Sequence, residues 1–313
     1  MKGKILITDS LFIFPEHEEM LTNAGYEIER LDKPEATEDE LVEAIKGKVG
    51  YILGGTEKLT DKIIDAADSL KAIAFTGIGY KAFIPNYEYV TQKGIAISNA
   101  PNGPTHPVAE WAVTMALAMN RNVFELGRAG DKKFMTTRGI ENCHVGIIGL
   151  GRIGAEIAKM IQPFKPASVL YYSKSRHEEI EKEFGIGYQE RLDYLLKTSD
   201  IVFVCVSDDA GQNFIDAEKI AQMKDRALLV SFMHKGIINE EALFSELKKG
   251  RIRAVSDYPM ASKEFNDLPL GTWYSFNGSN AFNTGSGLQA TSDAAVHSLL
   301  SLLETGTDIN KVN

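Results

Sequence analysis

The chain has 313 residues, enough for two domains of ordinary size with real cores. Hydrophobic residues make up 44% and charged residues 25%, the composition of a globular protein rather than a disordered one. The net charge of −9 leaves no basic footprint, which argues against a nucleic-acid partner and makes the acidic surface a solubility feature.

The two cysteines, Cys143 and Cys205, imply no disulfide framework, since Cys205 lies inside the apolar run IVFVCV. The start, MKGKILITDS, lacks the apolar core of a signal peptide, and no apolar run approaches membrane-spanning length. The expected location is the cytoplasm, with no membrane partner.

In chain order, KILIT reads as a strand and PEHEEMLTNAG as a helix opening at Pro15 and closing at Gly25. ATEDELVEAIKG offers Thr37 and Glu40 as a capping box, with Gly47 as the stop. VGYILGG, KAIAFTG and IAIS are further strands, with LTDKIIDAAD and NYEYVTQKG between them. This alternation predicts a parallel sheet covered on both faces. NAPNGPTHP reads as a loop or domain boundary, and VAEWAVTMALAMNRNVFELGRAGDK as one long, largely buried helix. A second alternating series carries the strands HVGIIG, SVLYYS, IVFVCV, ALLVSF and IRAVSD. TSDAAVHSLLSLLETG closes the chain as an amphipathic helix. The architecture is two α/β units joined through a long helix.

HVGIIGLGRIGAEIAKMI places Gly149, Gly151 and Gly154 between a strand and a helix, with Arg152 and Ile153 in the turn. Glycines at this spacing allow a tight turn and close backbone approach to a pyrophosphate, which the helix N-terminus then faces. The next strand should end in a carboxylate if the ligand is NAD, to hold the ribose 2′-hydroxyl. Instead Ser173, Lys174, Ser175 and Arg176 follow SVLYY, and these side chains can hold a 2′-phosphate that a carboxylate would repel. NADP is the expected cofactor, with NAD as the alternative should the two cations be merely solvated. No His, Cys, Asp or Glu cluster has metal-ligand spacing, and there is no serine nucleophile elbow.

With that loop placed, GIAISNAPNGPTHPVAEWAVTMALAMNRN, the stretch from SDIVFVCV to IINEEAL, and GRIRAVSDYPM fall into an order that resembles the D-isomer-specific 2-hydroxyacid dehydrogenases over nearly the whole chain. The resemblance implies two Rossmann-like doubly wound domains with the active site in a cleft between them. One is a flavodoxin-like substrate-binding domain, here residues 1–100 with 284–313. The other is an inserted dinucleotide-binding domain, here residues 101–283. It implies dimerisation through the long helix, Val206 in contact with the cofactor, and Asp257 near the nicotinamide carboxamide. It also implies a glycine-rich substrate loop whose amides bind a carboxylate. Here that loop is Gly77, Ile78 and Gly79, with Lys81 where the family often has aspartate.

The family's catalytic arginine, glutamate and histidine are absent from the matching positions. SFMHKG puts His234 in place of the arginine and Lys235 in place of a glycine. AFNTGSG puts Asn283 in place of the histidine, and Glu264 comes too late to be the glutamate. Two readings follow. In one the site is rebuilt: His234 is the proton donor, with His106 as another candidate acid. Lys235 or Lys81 then holds an anion, and Asn283 orients a carbonyl oxygen. That makes an NADP-dependent oxidoreductase of a small 2-oxo or 2-hydroxy acid or related carbonyl compound. In the other, catalysis is lost and the protein binds NADP(H) as a sensor or partner-binding module. An intact cofactor half favours the enzyme, since the hard chemistry belongs to the cofactor.

Overall fold

A computed structural model describes residues 1–8, 13–33, 36–55, 57–128, 134–207, 210–233, 236–276 and 278–313. The chain forms two compact units, Met1–Pro104 with Asn283–Asn313, and Thr105–Phe282.

The first unit is a five-stranded sheet of order β2-β1-β3-β4-β5. Its strands are β1 (Gly3–Thr8), β2 (Tyr26–Leu31), β3 (Lys48–Leu53), β4 (Ala72–Phe75) and β5 (Ala96–Ser98), every neighbouring pair parallel. Helices α1 (Pro15–Asn23), α2 (Glu38–Ala44), α3 (Asp61–Ala66), α4 (Tyr87–Gln92) and the C-terminal α12 (Gly285–Thr305) belong to this unit. Alternation along β1 sets the two cores: Ile5 and Ile7 cluster with Val296 and Leu299 of α12, whereas Leu6 clusters with Tyr51, Leu53 and Leu41 of α2. The capping box on α2 is present: Thr37 accepts from the Glu40 amide at 3.3 Å and its own amide donates to Glu40 at 2.8 Å.

The second unit is a seven-stranded sheet of order β12-β11-β10-β9-β6-β7-β8, again parallel throughout. It comprises β6 (His144–Ile148), β7 (Ser168–Tyr172), β8 (Gly187–Tyr188), β9 (Ile201–Val204), β10 (Leu228–Ser231), β11 (Arg253–Ser256) and β12 (Trp273–Ser275). Its helices are α5 (Thr105–Asn120), α6 (Val123–Arg128), α7 (Arg152–Ile161), α8 (Glu178–Phe184), α9 (Leu192–Thr198), α10 (Ala217–Gln222) and α11 (Glu240–Lys248). The order reverses between β6 and β9, and the glycine turn follows β6, so the turn sits at the topological switch point where such sheets bind ligands.

Three features differ from the sequence expectation. The long helix is broken: α5 stops at Asn120, and Asn122, at φ 49°, turns the chain before α6 begins. Asparagine adopts that left-handed conformation more readily than a bulky residue. Strands β2, β8 and β12 were not anticipated, because YEIERL carries charge at alternate positions and the other two are three residues or fewer. Helix α12 starts at Gly285 rather than near Thr291, since Thr284 caps it by accepting from the Gly287 amide at 3.0 Å.

Candidate cofactor and substrate sites

Each glycine of the turn after β6 answers a different steric demand. Gly149 has φ 96°, and a Cβ there would lie 2.5 Å from the Cys205 carbonyl oxygen, just beyond β9. At Gly154 a Cβ would run into the Gly149 carbonyl oxygen and lie 3.3 Å from Ile147, so a glycine is what lets α7 pack on β6. Gly151 caps α7, and a Cβ there would meet nothing within 4 Å. Two glycines are needed by the fold; the third faces open space, where a pyrophosphate would approach the free amides of the first helical turn at Arg152 and Ile153. The residues present therefore fit a dinucleotide. The Val206 amide nitrogen borders the turn, 3.1 Å from a Cβ built at Gly149.

After β7, Ser173 is half-buried while Lys174, Ser175 and Arg176 are exposed. The Arg176 guanidinium is held by Glu181 of α8, with Nη2 donating to Oε2 at 2.9 Å and Nε to Oε1 at 3.0 Å. The buried Tyr171 hydroxyl donates to the same Glu181 at 2.7 Å and accepts the His177 amide at 2.8 Å. Arg176, then Tyr171, holds the Glu181 carboxyl down to about 2, whereas burial and then Glu181 push the Tyr171 phenol up to about 12. Ser175 Oγ lies 3.3 Å from His177 Nε2. The loop thus presents its arginine on a carboxylate support that sequence reading did not find; the signal was a glutamate five residues on, at the start of an acidic helix.

Asp257, 2% exposed at the end of β11, accepts the amides of Asn280 and Ala281 at 2.9 to 3.2 Å, and burial raises its carboxyl above the ordinary range. Its carboxylate therefore fixes the segment running up to Phe282.

In the first unit Gly77, Ile78 and Gly79 follow β4. The carbonyls of Gly77 and Ile78 accept from the Ala100 amide at 2.9 Å and the Asn99 side chain at 3.1 Å. The three amides make no backbone hydrogen bond among the described residues, which leaves them available to a carboxylate. Lys81 is exposed, its ammonium 4.7 Å from the Tyr87 ring centroid. Asn283 is exposed immediately before the Thr284 cap of α12.

His106 was expected in a loop; it lies in the first turn of α5, exposed, with Nδ1 3.0 Å from Glu156 of α7. His234 and Lys235 fall outside the described residues. Sequence reading missed one buried polar cluster altogether. Glu57, 6% exposed, accepts from the Thr8 hydroxyl and from the Tyr51 hydroxyl, the latter at 2.9 Å. No helix among the described residues is long and apolar enough to cross a membrane, and no group of three His, Cys, Asp or Glu among them could hold a metal ion.

Residues 113–270 match the model of the D-isomer specific 2-hydroxyacid dehydrogenase NAD-binding domain. A D-3-phosphoglycerate dehydrogenase of Methanocaldococcus jannaschii is 30% identical over 86% of this chain and 51% of its own length, so the chain spans about half of that relative. A putative 2-hydroxyacid dehydrogenase of Staphylococcus aureus is 30% identical over 77% of this chain and 78% of its own. Among solved structures, an acyclic imino acid reductase in complex with NADPH and D-Arg shares the fold, with a TM-score of 0.86, 20% identity, and coverage of 99% of this chain and 100% of that one. The chain belongs to the D-isomer-specific 2-hydroxyacid dehydrogenases, a family of NAD(P)-dependent oxidoreductases.

Proposed function

We propose that this chain is an NADP-dependent oxidoreductase that transfers hydride to or from a small 2-oxo or 2-hydroxy acid, or a related carbonyl or imine compound, at an active site rebuilt from residues foreign to the family. The observation that carries this reading is the turn at Gly149–Gly154, where Gly151 alone has no steric need to be glycine. The nicotinamide, when bound, supplies or takes up the hydride. The amides at the start of α7 bind the pyrophosphate. Ser173, Lys174, Ser175 and Arg176 hold the 2′-phosphate, and Glu181, gripping one edge of the guanidinium, leaves other N–H donors for it.

The amides of Gly77, Ile78 and Gly79 hold the substrate carboxylate, with Lys81 as a nearby point charge. His234 gives the carbonyl oxygen its proton, or His106 does from its place beside Glu156. Lys235 balances negative charge at the substrate, and Asn283 orients the oxygen by hydrogen bonding. Asp257 positions the segment before Asn283 and lies toward the nicotinamide carboxamide. The working form is a cytoplasmic homodimer paired through α5.

The test is oxidation of NADPH, and of NADH in parallel, against glyoxylate, hydroxypyruvate and longer 2-oxo acids. Turnover preferring NADPH, lost in His234→Ala, is the expected result. Full turnover in that variant removes the histidine's role. Tight NADPH binding without turnover on any acid would instead favour a nucleotide-dependent binding protein.

A further inference from the structure

Thr8, Leu53 and Phe75 lie level at the carboxyl edge of the five-stranded sheet, because Thr8 pairs with Leu53 and Leu53 with Phe75. The strand order reverses at β1 and β3, the point where open α/β sheets receive ligands. Glu57 sits there. Its Oε1 takes the hydroxyls of Thr8 and Tyr51, while its Oε2 is buried and has no hydrogen-bond partner among the described residues. Nor does any lysine, arginine or histidine among them form an ion pair with it. The Tyr51 phenol is held well above its ordinary range, by burial first and by the neighbouring Glu57 second.

A buried carboxylate that is neither fully hydrogen-bonded nor paired is costly, and native structures keep such groups where something else completes them. A hydroxyl or water would supply the missing hydrogen bond and leave the charge unbalanced. A cation supplies both.

We propose that Glu57 recognises a cationic group, an ammonium or guanidinium, at the far end of the substrate's side chain. This rests on the substrate reading above, in which the amides of Gly77–Gly79 hold the carboxylate. Adjacent strands stand about 4.8 Å apart, so the ends of β1 and β4 are separated by about 10 Å. A 2-oxo or 2-imino acid with a side chain of five to six bonds spans that distance; glyoxylate and hydroxypyruvate do not.

The experiment compares 2-oxo-5-guanidinopentanoate with its neutral isostere, 2-oxo-5-ureidopentanoate, on the full chain and on Glu57→Gln. The wild type is expected to favour the guanidino acid by about tenfold or more in kcat/KM, and the variant to lose that ratio. The melting temperature with each acid, read without nucleotide, gives the same comparison independently of turnover: the guanidino acid raises it in the wild type and not in the variant. Equal handling of the two acids by the wild type, or a ratio that survives in Glu57→Gln, overturns the role of Glu57. Failure of the wild type to bind either nicotinamide nucleotide would instead overturn the functional reading, and the melting comparison would still decide on Glu57.

Discussion

The carboxyl edges of the two sheets are built on opposite terms. At the edge of the seven-stranded sheet the turn after β6 works through its backbone: Gly149 and Gly154 are required by the carbonyl oxygens of Cys205 and Gly149, and Gly151 opens the way to the α7 amides. At the edge of the five-stranded sheet the distinctive group is a side chain, Glu57, buried on two hydroxyls with one oxygen unmatched among the described residues. A backbone device tolerates wide change in the side chains around it and keeps its cofactor. A side-chain device changes its ligand with a single substitution. The half of this chain that carries the glycine turn is the half that matches the family's NAD-binding domain, over residues 113–270.

The sharpest way to break this contrast is within the glycine turn. Gly149→Ala should cost on the order of 3 kcal/mol or more of stability, from positive φ and a clash with backbone, and abolish nucleotide binding. Gly151→Ala should lower the melting temperature only slightly, through the poorer N-cap of α7, and weaken nucleotide binding about tenfold or more, because its Cβ would meet no protein atom within 4 Å. Calorimetric melting and a nucleotide titration separate the two. Equal loss of stability in both variants would contradict the division of roles.

At the other edge, Tyr51→Phe removes a donor from Glu57 and should cost about 1–3 kcal/mol in urea unfolding. Unchanged stability would mean that the cluster contributes nothing to the fold. Arg176→Ala should weaken NADPH about tenfold, roughly 1.4 kcal/mol, and leave NADH unaffected. Parallel loss of both nucleotides would deny that Arg176 meets the 2′-phosphate.

The smallest effect is one of pH. Arg176, then Tyr171, holds the Glu181 carboxyl down at about 2, below the ordinary glutamate range, so its contribution is present above that range and is lost as pH falls toward 2. The melting temperature of the wild type should drop more steeply over that window than that of Glu181→Gln. Superimposed curves would show that the exposed Arg176 pair adds no stability, an outcome within the range for surface ion pairs.

Fold class was legible because apolar strands alternate with capped helices: the Thr37–Glu40 box is formed as its spacing implies. The glycine turn was legible because its spacing is local, with Gly149, Gly151 and Gly154 between one strand and the helix that follows it. The break after Asn120 was not, since NRN fits a helix pattern until Asn122 takes a left-handed conformation. Glu181 was passed over although it lies only five residues beyond Arg176, and Glu57 was invisible for a different reason: Thr8 and Tyr51 reach it only through the packing of separate elements, and a lone glutamate in a sequence reads as a solvated charge.

The most direct measurement is an equilibrium titration of the wild-type chain with NADPH and NADH side by side. The expected result is saturable binding of both with NADPH favoured by about tenfold or more, the contribution of one well-made phosphate contact. Binding of neither nucleotide, or a preference for NADH, would contradict the account.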